Sequence, residues 1–173
     1  SMPSDLSWEQ KMLSAKAAGF DYIEISIDET DTKLAHAGEG TKHICMMLDM
    51  DNFKLVNDTY GHQEGDKFLK KSVVIFRETL GTQAIIGRMG GDEFAVLLKA
   101  GMNKKELMER LDALHNSIRF RVGDIWLTCS SGTAVCPADG TDFVSLYKHA
   151  DKALFKAKRQ GKDQNRIYIE ENL

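Results

Sequence analysis

The sequence predicts an α+β fold: a mixed, largely antiparallel sheet with helices packed on it, of ferredoxin-like type. Three observations predict it. A continuous apolar run over 43–48 reads as a buried central strand. Two pairs of strand-like segments each flank a glycine-bearing turn, at Gly90-Gly91 and Gly123-Asp124. Segments with helical apolar spacing separate those strands, which sets helices against a sheet rather than a sheet against a sheet.

The elements follow in order. Ser7 with Gln10, then Trp8, Met12 and Ala15 up to Gly19, read as a short capped helix over 7–19. Ile23, Ile25 and Ile27 alternate with polar neighbours, the period of a half-buried strand. Residues 28–41 form a polar connector with a helical turn near 32–37. After the 43–48 strand, Leu69, Val73, Phe76 and Leu80 mark a helix that starts past Gly65 and stops at Gly81. Strands over 84–89 and 93–98 place Gly90-Gly91 in a tight turn, where both central residues need positive φ. Asn103 and Glu106 make a capping box for a helix with core stripe Leu107, Leu111, Leu114 and Ile118. Segments 118–121 and 125–135 form a second hairpin. A last helix, capped near Thr141, carries Tyr147, Ala150, Leu154 and Ala157 on one face, and 166–169 closes as an edge strand. From His43 the order is β-α-β-β-α-β-β-α-β.

At 173 residues the chain is one domain with an extension, long enough to bury a core. Its 23 basic and 26 acidic side chains leave a net charge of −3, which argues against a general binder of nucleic acid or anionic membrane. No apolar run approaches the ~20 residues of a membrane span, and no signal-like segment opens the chain. Cys45, Cys129 and Cys136 form no CxxC pair, so neither a zinc site nor a disulfide framework is suggested, and a reducing cytoplasm fits best. Ser1-Met2 reads as an expression remnant.

Two acidic clusters carry the chemistry. In Arg88-Met89-Gly90-Gly91-Asp92-Glu93-Phe94 two carboxylates follow a bare turn, a setting that suits close approach of a ligand and a hard cation such as Mg²⁺. Taken alone, an ordinary hairpin with solvated acids explains it equally well. Asp49 and Asp51 end the buried strand two residues apart, so both leave the same face. An N-cap role for the next helix suits Asp51 but does not account for Asp49. Cys45, Met46, Met47 and Leu48 are most simply core. His62 reads as a loop-fixing residue, and Arg88 as a structural or a phosphate-side cation.

Together these residues resemble the GGDEF family of diguanylate cyclases. Gly90-Gly91-Asp92-Glu93-Phe94 is the complete signature. Leu48-Asp49-Met50-Asp51-Asn52-Phe53-Lys54 through Asn57-Asp58 to Gly61-His62 and Gly65-Asp66 is similar to a second motif. Ala150 to Lys158 with Gly161-Lys162 is similar to a third, and Ser131-Gly132 stands where the family has a small-residue strand. The resemblance covers about 43–169 and implies the nucleotidyl-cyclase type of α+β fold, with 43–173 as the catalytic domain and 1–42 as an atypical extension.

The resemblance implies condensation of two GTP into cyclic di-GMP with loss of two pyrophosphates, across a homodimer. It implies Mg²⁺, or Mn²⁺ in its place, on Asp49, Asp92 and the Met50 carbonyl, with Glu93 beside the ribose hydroxyl and a second metal position. Asp92 and Glu93 are the implied catalytic residues, on the Gly90-Gly91 turn that meets the substrate. Asn57 and Asp66 would read guanine, the amide donating and the carboxylate accepting. Lys158, Lys162 and the backbone amides of Asn52 and Phe53 would hold the terminal phosphates. The alternative is a weak or degenerate domain that binds GTP or cyclic di-GMP and acts through a sensor or effector partner.

The chain departs from the family pattern in two places. Gly81-Thr82-Gln83-Ala84 stands where many members carry an Arg-x-x-Asp product site, so feedback inhibition there is not expected. Nothing in 1–42 matches the usual opening motif. Residues 7–31 instead look like the opening helix and strand of a sugar-phosphate 3-epimerase barrel, but about 35 residues cannot close an eight-unit barrel, which excludes that activity. The extension is too apolar to lie free, so it is expected to dock on its own domain in preference to pairing with a neighbouring chain.

Overall fold

The computed structural model describes residues 23–24, 42–81, 84–100 and 103–170. The expected helix over 7–19, the remainder of the 22–27 strand and the turn near 32–37 lie outside the described residues.

The fold is α+β, as its pattern predicts. Strand β1 (Ile23–Glu24) precedes the long β2 (Lys42–Asp51), which leads into helices α1 (Phe53–Tyr60) and α2 (His62–Leu80). Strands β3 (Ile85–Gly90) and β4 (Glu93–Ala100) form the first hairpin, and α3 (Lys104–Ser117) follows. Strands β5 (Phe120–Val122) and β6 (Ile125–Cys136) form the second hairpin, before α4 (Phe143–Arg159) and β7 (Asn165–Ile167). The sheet order is β1-β3-β4-β2-β6-β5, with β7 also on β6. β2 pairs antiparallel with both β4 and β6, whereas β1 on β3 and β7 on β6 are parallel.

β2 is central because both its faces are apolar. Ile44, Met46, Leu48 and Met50 enter the larger core beneath α1, α2 and α3, with Phe68, Leu69, Val73, Phe76 and Leu111. Cys45 and Met47 enter a smaller core on the other face, beneath Phe143, Leu146, Ala150 and Leu154 of α4. Burial pushes the Cys45 thiol up to about 12, so it packs as an inert apolar group. Odd-numbered β2 residues therefore face α4 and even-numbered ones face the other helices.

The expected capping box is present: Glu106 N donates to Asn103 Oδ1 at 3.0 Å and Asn103 N to Glu106 Oε2 at 2.9 Å, a cap worth about 1 kcal/mol. Four boundaries differ from expectation. Gly61, at φ 87°, breaks 53–80 into two helices, so α2 starts at His62 rather than past Gly65. The first hairpin turns on Gly91-Asp92, not Gly90-Gly91: Gly90 is still paired with Glu93, after a register shift that follows Arg88. Ile118 ends α3 as its buried C-cap, which delays β5 to Phe120. Asp142, rather than Thr141, caps α4 by accepting from Ser145 N at 2.9 Å.

Gly132 decides how closely α4 sits on the sheet. A Cβ there would lie 2.0 Å from the Ala150 carbonyl oxygen and 2.2 Å from Leu154 N. The bare backbone thus lets α4 rest directly on β6.

Candidate active site

Strand parity brings the site together. Asp49 and Asp51 share the face of Cys45 and Met47, so they emerge at the end of β2 on the α4 side. The last turn of α4 brings Lys158 there, and the turn after it brings Lys162. The first hairpin is tied on from the other flank: Met50 N donates to the Asp92 carbonyl at 3.2 Å, and Asp49 pairs with Glu93 in the β2–β4 ladder. Segments far apart in the chain so surround one cavity of about 330 Å³, lined by 49–54, Asp92, Lys158 and Lys162.

Lys158 Nζ lies 2.6 Å from Asp49 Oδ2. Burial raises the Asp49 carboxyl above the ordinary range and the charges of Asp92 and Glu93 add to it, while Lys158 offsets part of the rise. For Lys158 burial acts downward, yet its hydrogen bond to Asp49 and the charges of Asp49, Glu93 and Asp92 leave it raised. The two shifts agree physically: crowded carboxylates repel one another, and all three favour the ammonium.

Asn52 adopts a left-handed conformation, φ 63°, and its side-chain amide donates to the Trp126 carbonyl at 2.9 Å. α1 begins at the next residue, so a left-handed residue and a helical one succeed each other. That pair turns successive N–H groups to one side, an anion-binding concavity at the positive end of a helix. Lys162, also left-handed at φ 63°, is exposed across the cavity.

Asp51 corrects one expectation. It does not cap α1, since the N-cap position belongs to Asn52 and Asp51 remains in β2. Its carboxylate is 2% exposed and accepts from Thr128 Oγ1 and Ser130 Oγ, each at 2.9 Å, and from Asp163 N at 3.1 Å. Sequence reasoning missed these partners because a strand pattern does not reveal which hydroxyls of a distant strand will face it.

Asn57 and Asp66 come from adjoining helices. A Cβ on Gly65 would stand 2.0 Å from Asn57 Oδ1, so this glycine lets the carboxamide wedge between α1 and α2. That oxygen is buried without a hydrogen-bond partner. Asp66 follows on α2 with an exposed side chain, and His62 is exposed at the start of the same helix. Arg88 donates from Nε and Nη2 to the Gly91 carbonyl at 2.9 and 2.7 Å, which gives it a structural part in the turn. Gly90 and Gly91, at φ 152° and 55°, present that turn bare.

Among the described residues no three His, Cys, Asp or Glu side chains converge as a complete metal cage. The donor chemistry nevertheless suits a hard cation, because Asp49 and Asp92 offer oxygens and Asp49 already holds a cationic ammonium. A larger depression of about 900 Å³ runs along the outer face of α4 beside Phe155 and Tyr168. Its charged groups Asp151, Lys152, Arg159 and Glu170 are exposed, whereas the smaller cavity gathers Asp49, Asp92, Lys158 and Lys162. Chemistry favours the smaller one.

A family model described as diguanylate cyclase, GGDEF domain, matches residues 25–164. That match begins inside the segment expected to be an epimerase-like extension, and the comparisons give the epimerase likeness no support. The chain is 34% identical over 147 residues to cyclic di-GMP phosphodiesterase PdeR of Escherichia coli, covering 83% of this chain and 22% of that protein. It is 35% identical over 130 residues to diguanylate cyclase DgcP of Pseudomonas aeruginosa, covering 73% and 19%. It therefore spans about a fifth of these relatives' length. Among solved structures, the active GGEEF domain of a diguanylate cyclase from Vibrio cholerae superposes with a TM-score of 0.68 at 27% identity, covering 75% of this chain and 85% of that one.

Proposed function

The chain belongs to the GGDEF family of diguanylate cyclase domains, and from that membership we propose that it condenses two GTP into cyclic di-GMP. The observation that carries this reading is the meeting of Asp49, Asp92 and Lys158 at one cavity beside the amides that open α1.

In this reading the nucleotide lies with its phosphates toward α1 and its base toward α2. The backbone amides of Asn52 and Phe53, with Lys158 and Lys162, bind the terminal phosphates. Asn57 and Asp66 read the guanine edge, the amide donating and the carboxylate accepting. Asp49, Asp92 and the Met50 carbonyl would hold Mg²⁺, or Mn²⁺ in its place, and Glu93 would serve a second cation. When bound, the cation supplies charge neutralisation on the phosphates.

The 3′-hydroxyl of one GTP attacks the α-phosphorus of the other; an O–P bond forms, the bond to the bridging oxygen breaks and pyrophosphate leaves. Glu93, exposed at the start of β4, would orient that hydroxyl and take its proton. One cavity serves one nucleotide, so two copies must face each other. Among the described residues no helix is long and apolar enough to cross a membrane.

Turnover of GTP with Mg²⁺, read by chromatographic identification of the product, tests the proposal. Cyclic di-GMP with two equivalents of pyrophosphate is the expected result. GTP binding without turnover would replace this reading with that of a nucleotide-binding module.

A further inference from the structure

Among the described residues, three non-glycine residues take left-handed φ values: Asn52, Lys162 and Asp163, at 63°, 63° and 48°. The first two line the cavity and the third adjoins it. Side chains with a Cβ adopt this conformation at a cost, which two successive residues compound, so the surroundings must enforce it. Asp51 is placed to do so, for it is buried in β2 between the residues it would govern. It adjoins Asn52 in sequence, and it accepts the Asp163 amide across 112 residues of chain.

We infer that Asp51 is a positioning residue that latches the 161–164 turn and thereby sets Lys162 at the phosphate end of the cavity. The Asp163 amide reaches the carboxylate from a turn in which both Lys162 and Asp163 are left-handed, and Lys162 is the residue before it. Thr128 and Ser130 fix the carboxylate from β6, so the strand that carries α4 also aims the latch. Arg119 holds the turn from outside, its Nη2 2.9 Å from Asp163 Oδ2. The Lys162 amide bonds back to the Ala157 carbonyl at 3.1 Å, which roots the turn in α4. Asp51 lines the cavity, but its carboxylate is taken up by Thr128, Ser130 and the Asp163 amide, so it acts through Lys162. Its contribution to phosphate binding rests on the nucleotide reading given above.

The test compares the full chain with Asp51→Asn, whose amide presents a donor where Asp163 N and two hydroxyls need acceptors. Hydrogen exchange should accelerate at the Asp163 amide while the core amides of α4 and β6 keep their protection. The affinity for a GTP analogue with a methylene between its α- and β-phosphorus should fall by roughly tenfold, the scale of one charge-assisted hydrogen bond. Lys162→Ala should weaken binding similarly, and adding it to Asp51→Asn should cost little more. Thr128→Val, which removes one donor and keeps the shape, serves the same measurements if Asp51→Asn fails to fold. Losses that multiply, or unchanged affinity despite a freed turn, would each overturn the latch. Failure of the unaltered chain to bind the analogue would strike the nucleotide reading instead, and exchange at Asp163 would still decide whether Asp51 holds the turn.

Discussion

Lys158 Nζ stands 2.6 Å from Asp49 Oδ2, so the site's own ammonium occupies the carboxylate that the proposed cation would use. The contact joins the end of β2 to the last turn of α4, and Asp92 and Glu93 are close enough for their charges to reach both partners. Under the proposed reading a cation on Asp49 would compete with Lys158 for this carboxylate, and a lysine so freed would be available to a phosphate.

The first prediction is a pH dependence of stability. Because the folded-state pKa of Asp49 is raised above its unfolded value, the fold binds that proton more tightly than the unfolded chain does. Ionising Asp49 therefore costs stability, a cost absent below the ordinary aspartate pKa and complete once pH exceeds the raised one. Asp49→Asn cannot ionise there. Its melting temperature relative to the unaltered chain should climb as pH rises through this window and then level off. A difference that stays constant with pH would remove the strained carboxylate.

The second prediction separates chemistry from folding at Asp92. The turn is anchored by the Asp92 backbone carbonyl and by the grip of Arg88 on Gly91, neither of which needs the Asp92 carboxylate. Asp92→Asn should shift stability by no more than about 0.5 kcal/mol, the range of surface substitutions. Product formation should be abolished. Undiminished cyclisation in that variant would remove Asp92 from the ligand set.

How much of this was legible in the sequence depends on the scale of the interaction. Apolar period announced β2, the α2 and α3 stripes and both hairpins, since burial is repeated over many residues and leaves a pattern. Asp49, Asp92, Lys158 and Lys162, which meet at one cavity, were legible through motif resemblance, and strand parity already put Asp49 and Asp51 on one face. The partners of Asp51 were not legible. Thr128, Ser130 and Asp163 lie more than 75 residues away, and each contributes one hydrogen bond with no periodic trace. The first turn was misplaced for a similar reason: two adjacent glycines both permit positive φ, and only the register shift after Arg88 decides which of them turns the chain.

The third prediction concerns the base. A Cβ at Gly65 would stand 2.0 Å from Asn57 Oδ1 and 2.9 Å from Phe53 Cε2, so Gly65→Ala must displace the carboxamide. The fold survives more readily than the recognition, because the Asn57 end is a side chain that can swing. GTP affinity should drop toward that for ATP, as a site that loses its polar partner loses discrimination. Calorimetry with both nucleotides measures this, and an unchanged preference would free Asn57 of base reading.

The fourth prediction is structural and reaches the site from behind. At Gly132 an added Cβ would meet the Ala150 carbonyl oxygen at 2.0 Å, Leu154 N at 2.2 Å and the Ala153 carbonyl carbon at 2.9 Å. All three are backbone atoms of α4, so no side chain can swing aside and the helix itself must lift from β6. Overpacking of this kind costs about 1–3 kcal/mol, and denaturant titration of Gly132→Ala should show a loss of that order. The displacement also carries Lys158 away from Asp49, because the lysine sits one turn beyond Leu154 on the same rigid helix. Nucleotide affinity should therefore fall even where the variant remains folded. Gly132→Ser should behave the same way, since its clash begins at the same Cβ. A variant with full stability and full affinity would mean that α4 does not owe its position to this glycine, and that the placement of Lys158 has another cause.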